Sequence, residues 1–311
     1  MRILVTGAAG FIGASLVPAL LDQGAEVVAF DIASDPASLG TVKDKITYVR
    51  GDLAAPEDLY RSVQRHRPTD IFHLGSVLAG PCDENPVLGF KVNFGSTLTL
   101  LDAAAAMGVR RFVMTSSISV FGKDSTEPVT DDAPKNPANV YGQTKLACEH
   151  LLRWYARERG VDARAVRFTW IFGPGRTTGI TALYSSLLLD AIAQGKPLDV
   201  PNPEETGDWL YVKDAVRALL ALFGAAEAPQ RIYNIAGGVH SIREVVEIAR
   251  RLRPESQMTL HAGGKRFSPY PAAYDDTPAR HDLGWRPAYS IEAAVKEHLE
   301  IVTARAAGQR R

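Results

Sequence analysis

The chain has 311 residues, 46% hydrophobic and 23% charged, and 35 Lys plus Arg balance 35 Asp plus Glu. Ample apolar content without net charge excludes a disordered chain, and the balance gives no electrostatic reason to expect nucleic acid or an anionic membrane as partner. The two cysteines, Cys82 and Cys148, are too few for a disulfide framework; no Cys/His cluster suggests a metal, and a reducing cytoplasm is the compartment expected.

Met1-Arg2 followed by apolar residues resembles a secretory leader. Gly7, Gly10 and Gly13 interrupt that run at a spacing of three, which a leader does not need. The residues read better as a buried strand over Ile3–Thr6, a glycine turn and a helix over Phe11–Gln23. No later apolar run reaches the roughly 18 residues of a membrane span. Further strands are predicted at Glu26–Phe30, Ile46–Arg50, Asp70–Leu74, Arg111–Thr115 and Ala163–Phe168, and helices at Pro56–His66, Pro86–Met107 and Val140–Arg159. The strands are nearly all apolar, as burial on both faces of a parallel sheet requires. The alternation predicts a Rossmann-type α/β fold, a doubly wound parallel sheet.

Gly173-Pro174-Gly175 breaks the rhythm. Residues 1–175 are expected to bind the cofactor and carry the catalytic groups. Residues 176–311 are expected to form mainly a smaller α/β substrate cap, some segments of which return to the core. In that part helices are predicted at Ile180–Gln194, Lys213–Phe223, Ser241–Leu252 and Ile291–Thr303, and strands at Trp209–Val212 and Arg231–Ile235. The tail from Ala306 to Arg311 is expected to fray.

Gly7-Ala8-Ala9-Gly10-Phe11-Ile12-Gly13 joins the first strand to the first helix. One glycine permits the tight turn, one lets a pyrophosphate approach the backbone and one lets helix pack on strand. Free N–H groups at the helix start favour phosphate. The spacing is G-x-x-G-x-x-G, and no Gly-Lys-Ser/Thr follows to support a nucleotide-hydrolysing loop. Asp31 ends the second strand, where an acid meets adenosine ribose hydroxyls and repels a 2′-phosphate. No Arg or Lys follows it before Lys43, which favours NAD over NADP. Asp52, within Gly51-Asp52-Leu53, is placed either to accept from the adenine amino group or to cap the helix after Pro56.

Tyr141 and Lys145 share one helix face at i and i+4. An ammonium near a phenol favours phenolate, making the tyrosine usable as an acid/base. Thr115-Ser116-Ser117 ends the fifth strand, the edge where ligands of such sheets sit, and a hydroxyl there can orient a substrate oxygen.

With these residues on one frame, the sequence resembles the extended short-chain dehydrogenases/reductases, the NAD-dependent epimerase/dehydratase family. The matching residues are the three glycines, Asp31, Gly51-Asp52-Leu53, His73-Leu74-Gly75-Ser76, Asn93, the run Thr115–Gly122, Tyr141 to Lys145, Arg167-Phe168, Phe172-Gly173-Pro174, Asp208 to Asp214 and Leu283-Gly284-Trp285-Arg286-Pro287. The resemblance implies Tyr141 as acid/base, Ser117 as the catalytic hydroxyl with Ser116 as the alternative, and Lys145 as the tyrosine's partner and ribose ligand. It places Gly7, Gly10, Phe11, Ile12, Gly13, Asp31, Asp52, Leu53, Leu74, Gly75, Ser76, Asn93, Thr115, Tyr141, Lys145 and Phe168 around NAD. It also implies a homodimer formed through the helices containing Asn93–Met107 and Tyr141–Arg159. Cys148 and His73 read as packing residues.

Two departures bear on the substrate. Nucleotide-sugar enzymes of the family usually carry Asn where this chain has Trp170, and Arg where it has Gly207. Ser76, Ser117, Tyr141, Trp170 and Arg176 are the expected substrate contacts, with Arg176 suited to a carboxylate or phosphate. The expected activity is oxidation of a secondary alcohol on a sugar, sugar acid or related hydroxy compound, with hydride passing to NAD. The alternative is a nucleotide-sugar 4-epimerase or dehydratase that retains NAD; a non-catalytic NAD sensor is disfavoured by the intact catalytic set.

Overall fold

The computed structural model describes residues 1–261, 263, 268 and 270–308; part of the tail expected to fray, 309–311, lies outside these. Its strands are, in chain order, β1 (Arg2–Thr6), β2 (Glu26–Asp31), β3 (Thr47–Arg50), β4 (Asp70–His73), β5 (Arg111–Ser117), β6 (Asp162–Phe168), β7 (Trp170–Phe172), β8 (Leu198–Pro201), β9 (Thr206–Tyr211), β10 (Ile232–Ile235), β11 (Val239–Ser241) and β12 (Met258–His261).

Seven strands form one sheet in the order β10-β6-β5-β4-β1-β2-β3, and every pairing in it is parallel. This is the doubly wound Rossmann-type arrangement. Strand order reverses between β1 and β4, so a crevice opens at their carboxyl ends, where ligands of such sheets bind. The sheet is covered on both faces. On one side lie Leu16 and Leu20 of the Gly13–Asp22 helix with Leu219 and Leu222 of the Val212–Gly224 helix. On the other lie Leu59 and Val63, Leu100 and Leu101, and Cys148 and Leu152, from helices Pro56–His66, Ser96–Met107 and Val140–Glu158.

A three-stranded sheet, β11-β9-β7, and a two-stranded one, β12-β8, build the cap. The chain passes between layers more than once: β7 follows β6 into the cap, β10 returns to the large sheet, and β11 leaves again.

Two predicted helices are broken. Pro86–Met107 becomes a turn over Pro86–Gly89, a π-helical turn over Phe90–Gly95 and a helix over Ser96–Met107, with the Asn85 side chain capping the start by accepting from Leu88 N at 3.0 Å. Ile180–Gln194 divides into Ile180–Leu183 and Ser186–Ala193, because Ser185 leaves helical geometry with φ −129° and ψ −89°. Strands β7, β8, β11 and β12 are short, and the sequence pattern did not announce them. Among the described residues no helix is long and apolar enough to cross a membrane.

Candidate active site

The glycine turn explains itself through space. Gly7 has φ +68°, and a Cβ there would lie 2.6 Å from the backbone of Gly75, so the turn after β1 rests directly on the loop after β4. A Cβ on Gly13 would lie 2.4 Å from the Gly7 carbonyl oxygen, whereas one on Gly10 meets only that carbonyl, at 3.1 Å. Gly7 and Gly13 serve packing; Gly10 keeps the outer backbone bare, the cradle a diphosphate needs.

Asp31 braces this turn. Its two carboxylate oxygens accept from Ala9 N at 2.9 Å and Ala33 N at 3.1 Å. Phe11 reaches toward the cap: its ring lies 3.4 Å from where a Gly173 Cβ would stand. Ile12 packs at the helix start. Asp52 is exposed and accepts from Ala54 N at 2.8 Å, ordering the bend before Pro56. Leu53 lies over Gly75, whose added Cβ would meet its Cδ1 at 2.5 Å. Leu74 is buried, and Gly75 and Ser76 are half-buried.

At the end of β5 neighbouring serines face opposite sides, as alternation along a strand demands. The Ser116 hydroxyl donates to Glu149 Oε1 at 2.6 Å. Glu149 is held in turn by Arg167, whose Nε and Nη2 donate to its two oxygens at 2.8 Å each. That closed, buried circuit leaves Ser116 no approach to a substrate. Ser117 points the other way, donates to Ser119 Oγ at 3.1 Å and stands beside the phenol of Tyr141, favouring its phenolate. Lys145 is buried, donates from Nζ to the Thr115 carbonyl at 2.9 Å and lies 5.6 Å from the Tyr141 ring centroid. Phe168 is buried in register with Ser117.

The electrostatics differ from the sequence expectation. Burial pushes the Tyr141 phenol up to about 12, while the Ser117 hydroxyl and Arg176 act to lower it. Burial also pulls the Lys145 ammonium below its usual value. Desolvation outweighs the neighbours that favour the phenolate.

Beneath the site, His73 packs its ring 6.0 Å from that of Phe112 and meets hydroxyls with both ring nitrogens. Its Nδ1 lies 2.7 Å from Thr6 Oγ1, and its Nε2 lies 3.1 Å from both Thr97 Oγ1 and Ser96 Oγ. Burial pulls its pKa down to about 3. Asn93, carried by the π-helical turn, spends its side chain on protein groups. It accepts from Val77 N at 2.7 Å and donates to the Val77 carbonyl and Thr144 Oγ1 at 3.0 Å each. It therefore fixes the loop after β4 and the helix carrying Tyr141. Cys148 is buried and packs there with its thiol on Thr97.

On the cap side the two departures prove to be one feature. A Cβ on Gly207 would lie 2.3–2.4 Å from three carbons of the Trp170 indole. The ring occupies the space that a side chain at 207 would need. Arg176 donates from Nη1 to the Ile171 carbonyl and from Nη2 to Thr181 Oγ1 at 2.7 Å. Among the described residues it meets no carboxylate, burial pulls its pKa down to about 10, and it is felt by Tyr141. Ser119, which takes the Ser117 hydroxyl at 3.1 Å, and Asn139, which donates to the Tyr270 phenol oxygen at 2.6 Å, also stand on the Tyr141 side, and sequence reasoning missed them and Tyr270 as site residues. The only signal was Ser119's place two residues beyond Ser117; nothing local marked Tyr270.

The profile of the NAD dependent epimerase/dehydratase family matches residues 3–236. The chain is 32% identical to the UDP-glucose 4-epimerase of Mycolicibacterium smegmatis over 97% of its own length and 98% of that protein's. It is 29% identical to the D-erythronate dehydrogenase of Cupriavidus necator over 81% of this chain and 82% of the other. The solved L-threonine dehydrogenase of Cupriavidus necator superposes with a TM-score of 0.86 at 27% identity, covering 98% of this chain and all of that one. The chain thus belongs to the NAD-dependent epimerase/dehydratase family and is an enzyme of the short-chain dehydrogenase/reductase type.

Proposed function

We propose that this enzyme is a dehydrogenase that oxidises a secondary alcohol of a small sugar, sugar acid or related hydroxy compound, with NAD as acceptor. The observation that carries this reading is the pairing of Tyr141 and Ser117 at the sheet's carboxyl edge with a guanidinium, Arg176, that has no carboxylate beside it among the described residues. NAD supplies the hydride acceptor. Gly10 would leave bare backbone for its diphosphate on a turn that Gly7 and Gly13 pack, Asp31 would meet the adenosine ribose, and Asp52 and Leu53 would border the adenine end. Leu74, Gly75, Ser76, Thr115 and Phe168 border the nicotinamide end, where Lys145 holds the ribose. Tyr141 takes the alcohol proton, Ser117 orients the alcohol oxygen, and Arg176 clamps a carboxylate on the substrate. The positive nicotinamide ring and Lys145 together favour the phenolate that burial alone opposes.

The interlock of Trp170 with Gly207 supports a small substrate over a nucleotide-sugar, because the indole fills the position where the family's nucleotide-sugar enzymes carry an arginine. The second reading, a nucleotide-sugar 4-epimerase, is favoured by the 32% identity to such an enzyme. Both use the same first half-reaction. We extend the proposal to a homodimer through helices Ser96–Met107 and Val140–Glu158, on which Leu98 and Trp154 are each 38% exposed. A cytoplasmic enzyme is consistent with two free cysteines.

The test is a panel of hydroxy acids, sugar acids and UDP-sugars, each incubated with NAD. Sustained NADH formation with an acid from the panel is expected. Conversion of a UDP-sugar to its epimer without NADH accumulation would overturn the dehydrogenase reading in favour of the epimerase.

A further inference from the structure

Arg176 belongs to a loop that is fastened at both ends to one pair of buried serines. At its start, Gly173 N donates to Ser186 Oγ at 3.1 Å. At its finish, Ser185 Oγ donates to the Thr181 carbonyl at 2.6 Å. Both serines are fully buried. Ser185 is also where the predicted helix breaks, so the break falls at the point where the loop is anchored.

Between the anchors the loop closes around its own guanidinium. Arg176 Nη1 donates to the Ile171 carbonyl on β7, and Nη2 donates to Thr181 Oγ1 at 2.7 Å. Gly179, at φ +91°, passes close by: a Cβ there would lie 3.2 Å from Arg176 Nη2 and 3.4 Å from Leu78 Cδ1. Leu78 stands two residues beyond Ser76 in the loop after β4. The head of Arg176 is therefore set between the cap and that loop, and its charge favours the Tyr141 phenolate. A guanidinium carries five N–H donors. Two are spent on Ile171 and Thr181, which leaves three without a protein partner among the described residues.

A loose arginine loses rotamer freedom when it grips a ligand. Here that freedom is already gone. The Ile171 carbonyl alone would leave the planar fork free to turn about one bond, whereas partners on two different nitrogens fix its plane. The second partner is a single hydroxyl. We propose that Thr181 is a positioning residue, which holds the Arg176 guanidinium in the plane that receives a substrate carboxylate and so sets the enzyme's preference for hydroxy acids over uncharged alcohols. The proposal rests on the reading of Arg176 as the carboxylate clamp. Thr181 acts through Arg176 and needs no contact with the substrate itself.

The experiment uses the full chain with NADH bound, which cannot accept a hydride, and follows binding by the coenzyme's fluorescence. Lactate and gluconate are each titrated beside their uncharged amides, lactamide and gluconamide. The native chain is expected to bind an acid about tenfold more tightly than its amide. Thr181→Val, which keeps the shape and removes the hydroxyl, is expected to weaken the acid by about tenfold and leave the amide unchanged. Thr181→Ser is expected to restore most of the native affinity. On whichever acid the enzyme oxidises, Thr181→Val raises KM about tenfold and keeps kcat within about twofold, the pattern of lost uniform binding. A valine variant that binds the acid as the native chain does overturns the role of Thr181 and leaves the Arg176 clamp standing. Equal weakening of acid and amide also overturns it, because that marks a loosened loop rather than a displaced charge. A native chain that binds neither acid better than its amide removes the carboxylate clamp itself, and the positioning role with it.

Discussion

Ser116 and Ser117 are adjacent in one strand, yet they belong to opposite regimes. Ser116 enters a closed circuit in which Glu149 and the fully buried Arg167 satisfy one another. Ser117 enters an open pairing instead, donating to Ser119 Oγ at 3.1 Å and facing the Tyr141 phenol. A buried ion pair that is fully satisfied holds the sheet and helix together, and losing one member strands the other charge. A hydrogen bond between neutral hydroxyls contributes only about 0.5–1.5 kcal/mol, and under the proposed function the worth of Ser117 lies in orienting the alcohol oxygen. On that proposal the difference separates stability from catalysis across a single peptide bond.

The sharpest way to break this comparison is to remove one member of each side. Tyr141→Phe is expected to cut turnover by about 10³-fold while leaving the urea midpoint unchanged. Glu149→Ala is expected to cost about 3–5 kcal/mol of stability, read by urea denaturation, with the molecules that stay folded retaining activity. A large stability loss in the first variant, or a purely kinetic loss in the second, would collapse the distinction.

A smaller effect is expected where the cap packs on itself. Gly207→Ala drives a methyl into the Trp170 indole and should cost about 1–3 kcal/mol. Made in the Trp170→Ala background, the same change should cost almost nothing, and a double-mutant cycle reads that coupling.

The mildest prediction concerns His73. Its folded pKa, about 3, lies below the usual 6.5, so the unfolded chain binds the extra proton in that interval. The stability its neutral ring contributes is full above pH 6.5 and is lost as pH falls toward 3. Between pH 7 and pH 5 this group alone should cost about 2 kcal/mol. Burial raises Asp131 and Asp208 to about 6 each, and they act in the opposite sense, so the measurement is a difference. Native chain minus His73→Gln, by urea denaturation at both pH values, isolates the histidine, and a flat difference would refute it.

Much of this was legible in the sequence because it is local. The glycine turn, the apolar strands and the Tyr141–Lys145 spacing each need only a few neighbouring residues, and the large sheet follows from their order. The break within Pro86–Met107 was not legible. The π-helical turn that carries Asn93 is tied down by contacts to Val77 and Thr144, which lie elsewhere in the chain. Trp170 and Gly207 read as two independent departures until the fold placed one against the other. Strand β7, three residues long, carries too little pattern to distinguish it from a loop. Tyr270 joins the site only through tertiary structure.

The repeated crossing of the chain between its layers has a consequence for dissection. A fragment ending at Gly175 would lack β10, which pairs with β6 in the large sheet. The row of backbone donors and acceptors on β6 would then face water, inviting copies to zip together edge to edge. Lobes interleaved in this way are not separable modules, and a chimera that exchanges the cap must bring β10 with it.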